Sequence, residues 1–174
     1  MRVALVIICI SVCAFAQEKT RFGQPTVPPA SVTAACGNLG VSMAVKLDDS
    51  QHAIAQPEPG VAHIYFIEDG GGVRWIGYPL VRVGIGGRWV GALKRDSYLS
   101  VSVDPGEQHL CAATGDGHIA LAHVVVEAGK TYYYRIRISS DSAVVEYLSL
   151  NPVDSDEAAF QIGMFPVAIA HLKK

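Results

Sequence analysis

Charge is scarce in this sequence, and neither sign dominates. Of 174 residues 17% are charged, and 14 Lys and Arg stand against 16 Asp and Glu for a net charge of −2. A nucleic-acid-binding surface needs a basic face, so a chain this poor in charge is not expected to bind DNA or RNA. The same composition argues against disorder over most of the length, because 50% of the residues are hydrophobic and the net charge is small. Beyond Ala16 no apolar run approaches the roughly 20 residues that a membrane-spanning helix needs, so no span is expected in the mature chain. Repeats at solenoid or propeller periods are missing as well. Cysteine is rare: of 4 in all, Cys9 and Cys13 precede Ala16, and only Cys36 and Cys111 follow it.

What is there begins with an address. Met1 and Arg2 precede the uncharged run Val3 to Cys13, and Ala14-Phe15-Ala16 then supplies a small-x-small ending. A short positive start, an apolar run and an A-x-A ending read as a secretory signal peptide over residues 1–16, cleaved after Ala16. Lipid attachment at Cys13 is disfavoured by Val12, where a small residue is wanted. The expected location is therefore the periplasm or the medium. Residues 17–35, with Gly23, Pro25, Pro28 and Pro29 among polar neighbours, read as a flexible Pro-rich leader. Residues 36–174 read as one domain, a length sufficient to bury a core. In an exported chain the two remaining cysteines, Cys36 and Cys111, most economically form one disulfide.

From residue 61 onward, short β-like runs alternate with turn signals. Residues 61–67, 80–85, 88–93, 98–103, 109–113, 119–126, 131–138 and 144–150 read as strands, and residues 41–47 as a first or edge strand. Gly86-Gly87 sits between two runs as a tight hairpin turn, since glycine reaches the positive φ such turns require. Asp104-Pro105-Gly106-Glu107 has the proline and glycine of a type II turn. Residues 119–126 are apolar on both faces and read as a central strand covered on two sides. In residues 131–138, Tyr132, Tyr134, Ile136 and Ile138 are expected inside, with Arg135 and Arg137 facing solvent. Asp154, three residues before Glu157, reads as the cap of a short helix ended by Gly163 and Pro166.

Several blocks in order carry a resemblance. They are Ala62-His63-Ile64-Tyr65-Phe66, Val83-Gly84-Ile85-Gly86-Gly87-Arg88-Trp89-Val90-Gly91, Asp104-Pro105-Gly106-Glu107-Gln108-His109-Leu110, and Glu127-Ala128-Gly129-Lys130-Thr131-Tyr132-Tyr133-Tyr134-Arg135. From about Cys36 to the C-terminus the chain resembles the bacterial domain-of-unknown-function family 2846. Where related domains usually have Asp-Gly at the hairpin tip, this chain has Gly86-Gly87, which keeps the turn and removes a side-chain acceptor. The resemblance implies an exported β-sandwich of unassigned role and supplies no catalytic residues. With the strand pattern, the expected fold is an all-β antiparallel sandwich, immunoglobulin-like or carboxypeptidase-regulatory-like, with a short C-terminal helix.

Catalytic signatures are thin. No G-x-S-x-G elbow or thiol-enzyme signature occurs. His109 and Cys111 share a strand face, but a zinc site wants three or four converging ligands. His118 and His123 are five apart and point to opposite faces of a strand. Glu68 and Asp69 are adjacent and so diverge, while Asp154, Asp156 and Glu157 suit a helix N-terminus. Gly84, Gly86 and Gly87 lie between two strands and fail the dinucleotide pattern. Two loops remain, 68–78 and 114–118, glycine-rich rims on a rigid scaffold. Within them Arg74, Trp75, Tyr78, Asp116 and His118 are the candidate recognition residues, with Trp89, Arg82 and Arg88 nearby. The bland alternative makes Trp89 core and Trp75 the cover of a sheet edge. The sequence thus suggests a non-enzymatic envelope module without cofactor or metal, whose partner is an envelope protein or glycan. The rival is a small metal-dependent or hydrolytic enzyme using His109, His118 or His123.

Overall fold

The computed structural model describes residues 30–50, 54–70, 78–141 and 144–173. Residues 1–29, where the signal-peptide reading and most of the leader reading fall, and Arg74 and Trp75 lie outside the described residues. Alternating apolar and polar side chains give strands β1 (Met43–Asp48), β2 (Ala62–Glu68), β3 (Val81–Ile85), β4 (Arg88–Leu93), β5 (Ser97–Val103), β6 (Gly106–Ala113), β7 (Ile119–Val126), β8 (Thr131–Asp141), β9 (Val144–Pro152) and β10 (Val167–Leu172). Helix α1 (Ala30–Cys36) precedes β1, and α2 (Ser155–Met164) separates β9 from β10. Six strands form one sheet in the order β1-β10-β5-β2-β8-β9, and four form the other in the order β4-β3-β6-β7. Among the described residues no helix is long and apolar enough to cross a membrane.

The two sheets share one apolar core. Ala62, Ile64 and Phe66 of β2 and Ile136 and Ile138 of β8 cluster with Val81 and Val83 of β3 and Leu110 and Ala112 of β6. Burial of such side chains, each removing about 1.5–3 kcal/mol worth of apolar surface from water, is what holds the layers face to face. Gly86 and Gly87 turn β3 into β4 with φ of 55° and 79°, as the hairpin reading requires. Asp154 caps α2 through a side-chain oxygen that accepts from Asp156 N at 2.9 Å and Glu157 N at 2.8 Å.

The fold is the expected sandwich, rich in antiparallel pairs, with β2–β8 and β10–β5 parallel within it, and two finer expectations need correction. Period-two alternation is the same for either strand direction, so the pattern held no information on this point. The leader does not extend to residue 35, because α1 begins at Ala30 and buries Val32, Ala35 and Cys36 against the four-stranded sheet. Strand β7 is not central. It ends its sheet, with Leu121 40% and Val125 59% exposed on its outer face. Strand β10 inserts between β1 and β5.

Both sheets have a helix on the face turned away from the core. Tyr65, Ile67 and Tyr98 meet Ala158 and Ile162 of α2, so β2 is buried on both sides. On the other sheet, Cys111 and Ala113 meet Val32, Ala35 and Cys36 of α1. Gly84 is required for that approach: a Cβ there would stand 3.0 Å from Ala35 O and 3.1 Å from Cys36 Cα. Cys36 and Cys111 form the disulfide, with Cα atoms 5.2 Å apart.

Candidate functional site

The turn between β6 and β7 is a tight polar knot. Thr114 is fully buried; its amide donates to His118 O at 3.0 Å, and its hydroxyl receives the His118 amide at 3.2 Å. The same hydroxyl donates to the Asp116 carboxylate. His118 Nε2 lies 3.8 Å from Asp116 Oδ2, so the two candidate residues from this loop sit together near the surface. The loop is thus held from within, and Asp116 is presented at a fixed place.

Arg82 fastens this turn to the segment after α1. Its Nη1 donates to Leu39 O at 2.5 Å and Val41 O at 2.8 Å, and its Nη2 donates to Thr114 O at 3.1 Å. The guanidinium also stands 4.9 Å from the centre of the Trp89 ring, whose Nε1 donates to Asn38 O at 2.6 Å. Burial lowers the Arg82 pKa from its ordinary value. With both terminal nitrogens engaged by carbonyls, Arg82 braces the site and does not reach out to a ligand. Trp89 is half-buried against both core clusters, which places it with the scaffold.

A groove of about 660 Å³ lies beside that brace, lined by residues 39–43, Pro79, Leu80, Arg82, Gly115, Asp116 and Lys173. Pro79 and Leu80, which follow the first sequence-predicted loop, and the tip of the second loop therefore face the same space. Apolar walls from Leu39, Val41 and Leu80 carry an acidic rim at Asp116 and a basic one at Lys173. Such a concave, mixed surface suits a ligand with an apolar body and polar ends.

Beside Tyr78 lies a buried acid that the sequence reading set aside because it diverges from its neighbour Asp69. Glu68 ends β2 with no exposure to solvent. Tyr78 donates its hydroxyl to Glu68 Oε1, and the Asp96 amide donates to Oε2 at 2.9 Å. Burial raises the carboxyl to about 7, and the two hydrogen bonds oppose that rise. Tyr78 is raised too, first by burial and then by the neighbouring carboxylate. Asp96 holds a left-handed backbone with φ of 52°, accepts from Gly70 N at 3.0 Å, and pairs with Arg95 at 3.1 Å. The Arg95 guanidinium covers the Tyr78 ring at 5.6 Å. Tyr78 is therefore corrected from a surface contact to an anchor: its hydroxyl points inward and fixes the start of the groove wall.

The histidines split into separate places. His63 is half-buried and hydrogen-bonded to Ser102 Oγ at 2.8 Å, an ordinary structural role. His109 and His123 are register partners on β6 and β7, with ring centroids 5.0 Å apart. His118 lies at the turn, roughly 15 Å along the strand from His123 at 3.3 Å per residue. The three histidines of the enzymatic reading do not converge. Among the described residues, no group of three or more His, Cys, Asp or Glu is arranged as it stands to hold a metal. No protein-family model matches the chain, and no curated protein matches it.

Proposed function

We propose that this chain is a non-enzymatic, exported β-sandwich that serves the cell envelope as a recognition module. The observation that carries the reading is the meeting of Pro79 and Leu80 with Gly115 and Asp116 at one braced groove. Two further features support it: the signal-peptide pattern of residues 1–16 and the disulfide between Cys36 and Cys111. Disulfides persist in oxidising compartments, which agrees with export to the periplasm or the medium. Asp116 and Lys173 are the ligand-facing charges, His118 supports Asp116, and Arg82, Tyr78 and Glu68 hold the walls still. A rigid groove binds without the ordering cost that a mobile loop incurs. The partner class is an envelope glycan or an envelope protein segment with apolar and polar groups in series.

Nitrogen-edited NMR of the labelled chain, titrated with soluble envelope glycan fragments and then with short envelope-derived peptides, tests the assignment. Shift changes centred on Leu80, Gly115, Asp116 and Lys173 are expected. Changes centred on any other face, or none with either class, would refute it.

A further inference from the structure

Strand β7 ends the four-stranded sheet, and among the described residues no strand pairs with its outer edge. The direction of its backbone groups follows from its neighbours. Thr114 N donates to His118 O at 3.0 Å, and bonded pairs alternate along an antiparallel ladder. Ala120, Ala122 and Val124 therefore turn their N–H and C=O groups to β6, while Ile119, Leu121, His123 and Val125 turn theirs outward. The bond from Gly86 N to His109 O, at 3.0 Å, agrees: His109 bonds β3, so its register partner His123 faces away from β6. This edge is also undefended. Residues 119–126 hold no Lys, Arg, Asp, Glu or Pro, the residues that blunt sheet edges. The other edges differ: β1 carries Lys46 and Asp48, β4 opens on Arg88 and pairs with β3 across a bulge, and β9 closes on Pro152. Leu121 and Val125 are exposed on the outer face of β7, and Ala122 and Val124 on its core face are only half-buried.

We propose that β7 is the contact edge for a second copy of this chain, the two strands pairing antiparallel about a two-fold axis at Ala122. Partners in an antiparallel pair share a face, and bonds are exchanged only between residues whose N–H and C=O groups point at each other. Centring on Ala122 meets both conditions. Ile119 stands opposite the second copy's Val125 and Leu121 opposite its His123, each twice by symmetry, so every outward-turned residue of the strand finds a partner. Leu121 and Val125 gain cross-strand neighbours on the outer face, and Ala120 meets the second copy's Val124 on the core face. The edge brings no Lys, Arg, Asp or Glu opposite its own copy, and it is this self-match that selects the same chain as occupant. A two-fold contact closes on itself, so assembly stops at two chains. Eight strand residues make a wall about 27 Å long, and two sheet layers make it about 20 Å deep, about 500 Å² on each chain. A standard stable interface takes about 800 Å² from each partner, so the dimer is reversible and set by concentration. None of residues 119–126 lines the groove, so this edge and the recognition reading stand or fall separately.

Sedimentation velocity of the purified chain, from low micromolar to several hundred micromolar, provides the test together with amide hydrogen exchange at both ends of that range. Monomer should give way to dimer as concentration rises, with no larger species. The amides of Leu121, His123 and Val125 should be open in the dilute chain and protected in the concentrated one, while those of Ala120, Ala122 and Val124 stay protected in both. Leu121→Lys and Val125→Lys should each weaken dimerisation at least about tenfold. Both side chains are exposed, so dilute samples of these variants should melt with the parent. Phe160→Lys, at an exposed apolar position on α2, should dimerise as the parent does. A monomer throughout the range, open-ended assembly, new protection confined to another edge, or parental dimerisation in both β7 lysine variants would overturn the assignment.

Discussion

The two helices occupy equivalent places on opposite sheets, yet they are fastened by different physics. Helix α1 has seven residues and buries only Val32, Ala35 and Cys36. So short a helix has little apolar surface to contribute and is marginal on its own, and a covalent tie at its last residue compensates. Helix α2 has ten residues, a side-chain cap, buried Ala158 and Ile162, and an ion pair between Glu157 and Arg135 of β8. It needs no covalent tie. The groove lies on the α1 side, where residues 39–43 leave the helix and pass beneath Arg82. The recognition surface is therefore expected to depend on oxidation, and the α2 side is not.

Breaking the covalent tie should have the largest effect. With a sequence separation of 75 between Cys36 and Cys111, the chain-entropy model gives about 4–5 kcal/mol for the crosslink. Cys36→Ser with Cys111→Ser should lose about that much in urea unfolding. Hydrogen exchange should rise over residues 30–42 while β2 and α2 stay protected. The matching test on the other side is Ile162→Ala, which empties a fully buried position and should cost about 3–4 kcal/mol. Its signature is the reverse, with α2 released and residues 39–43 unaffected.

Glu68 sharpens the comparison through pH. Its folded-state pKa of about 7 exceeds the ordinary 4.5, so between these values the folded chain keeps a proton that the unfolded chain has released. Stability should fall as pH rises through that window and stay low above it. Glu68→Gln removes the titration. The variant's stability relative to the parent should therefore grow by about 3 kcal/mol from the low to the high side of the window, measured by denaturant midpoints. A flat difference would mean that the acid is solvated in the folded chain. The smallest effect belongs to Asp154→Ala, which removes the α2 cap and should cost about 1 kcal/mol, with fraying confined to the first helical turn.

Much of the fold was legible because strands and turns are local. The bounds 119–126, the Gly86-Gly87 hairpin and the Asp154 cap all follow from neighbouring residues in the chain. What was not legible was non-local. The parallel β2–β8 pairing depends on which strands meet. The edge position of β7 depends on what α1 leaves uncovered, and its apolar outer residues mimic a buried strand. Helix α1 was hidden by the prolines before it, although Val32, Ala35 and Cys36 have the spacing of a helical stripe. For the site, the 114–118 loop stood out by its glycines, and Asp116 lines the groove, whereas residues 71–77 of the other loop lie outside the described residues. Glu68 was weighed only as a partner for Asp69, and its burial was not legible because an acid at a strand end usually faces water. Its burial comes from Tyr78 and Asp96, which are 10 and 28 residues away in sequence.

The groove as a contact surface is tested most directly by site-specific photo-crosslinking in the cells that export the chain. A photoreactive residue at position 116 or 80 should give a discrete adduct with an envelope component, and one at exposed Phe160 on α2 should give none. Equal adducts from position 160, or none from 116 and 80, would contradict the account.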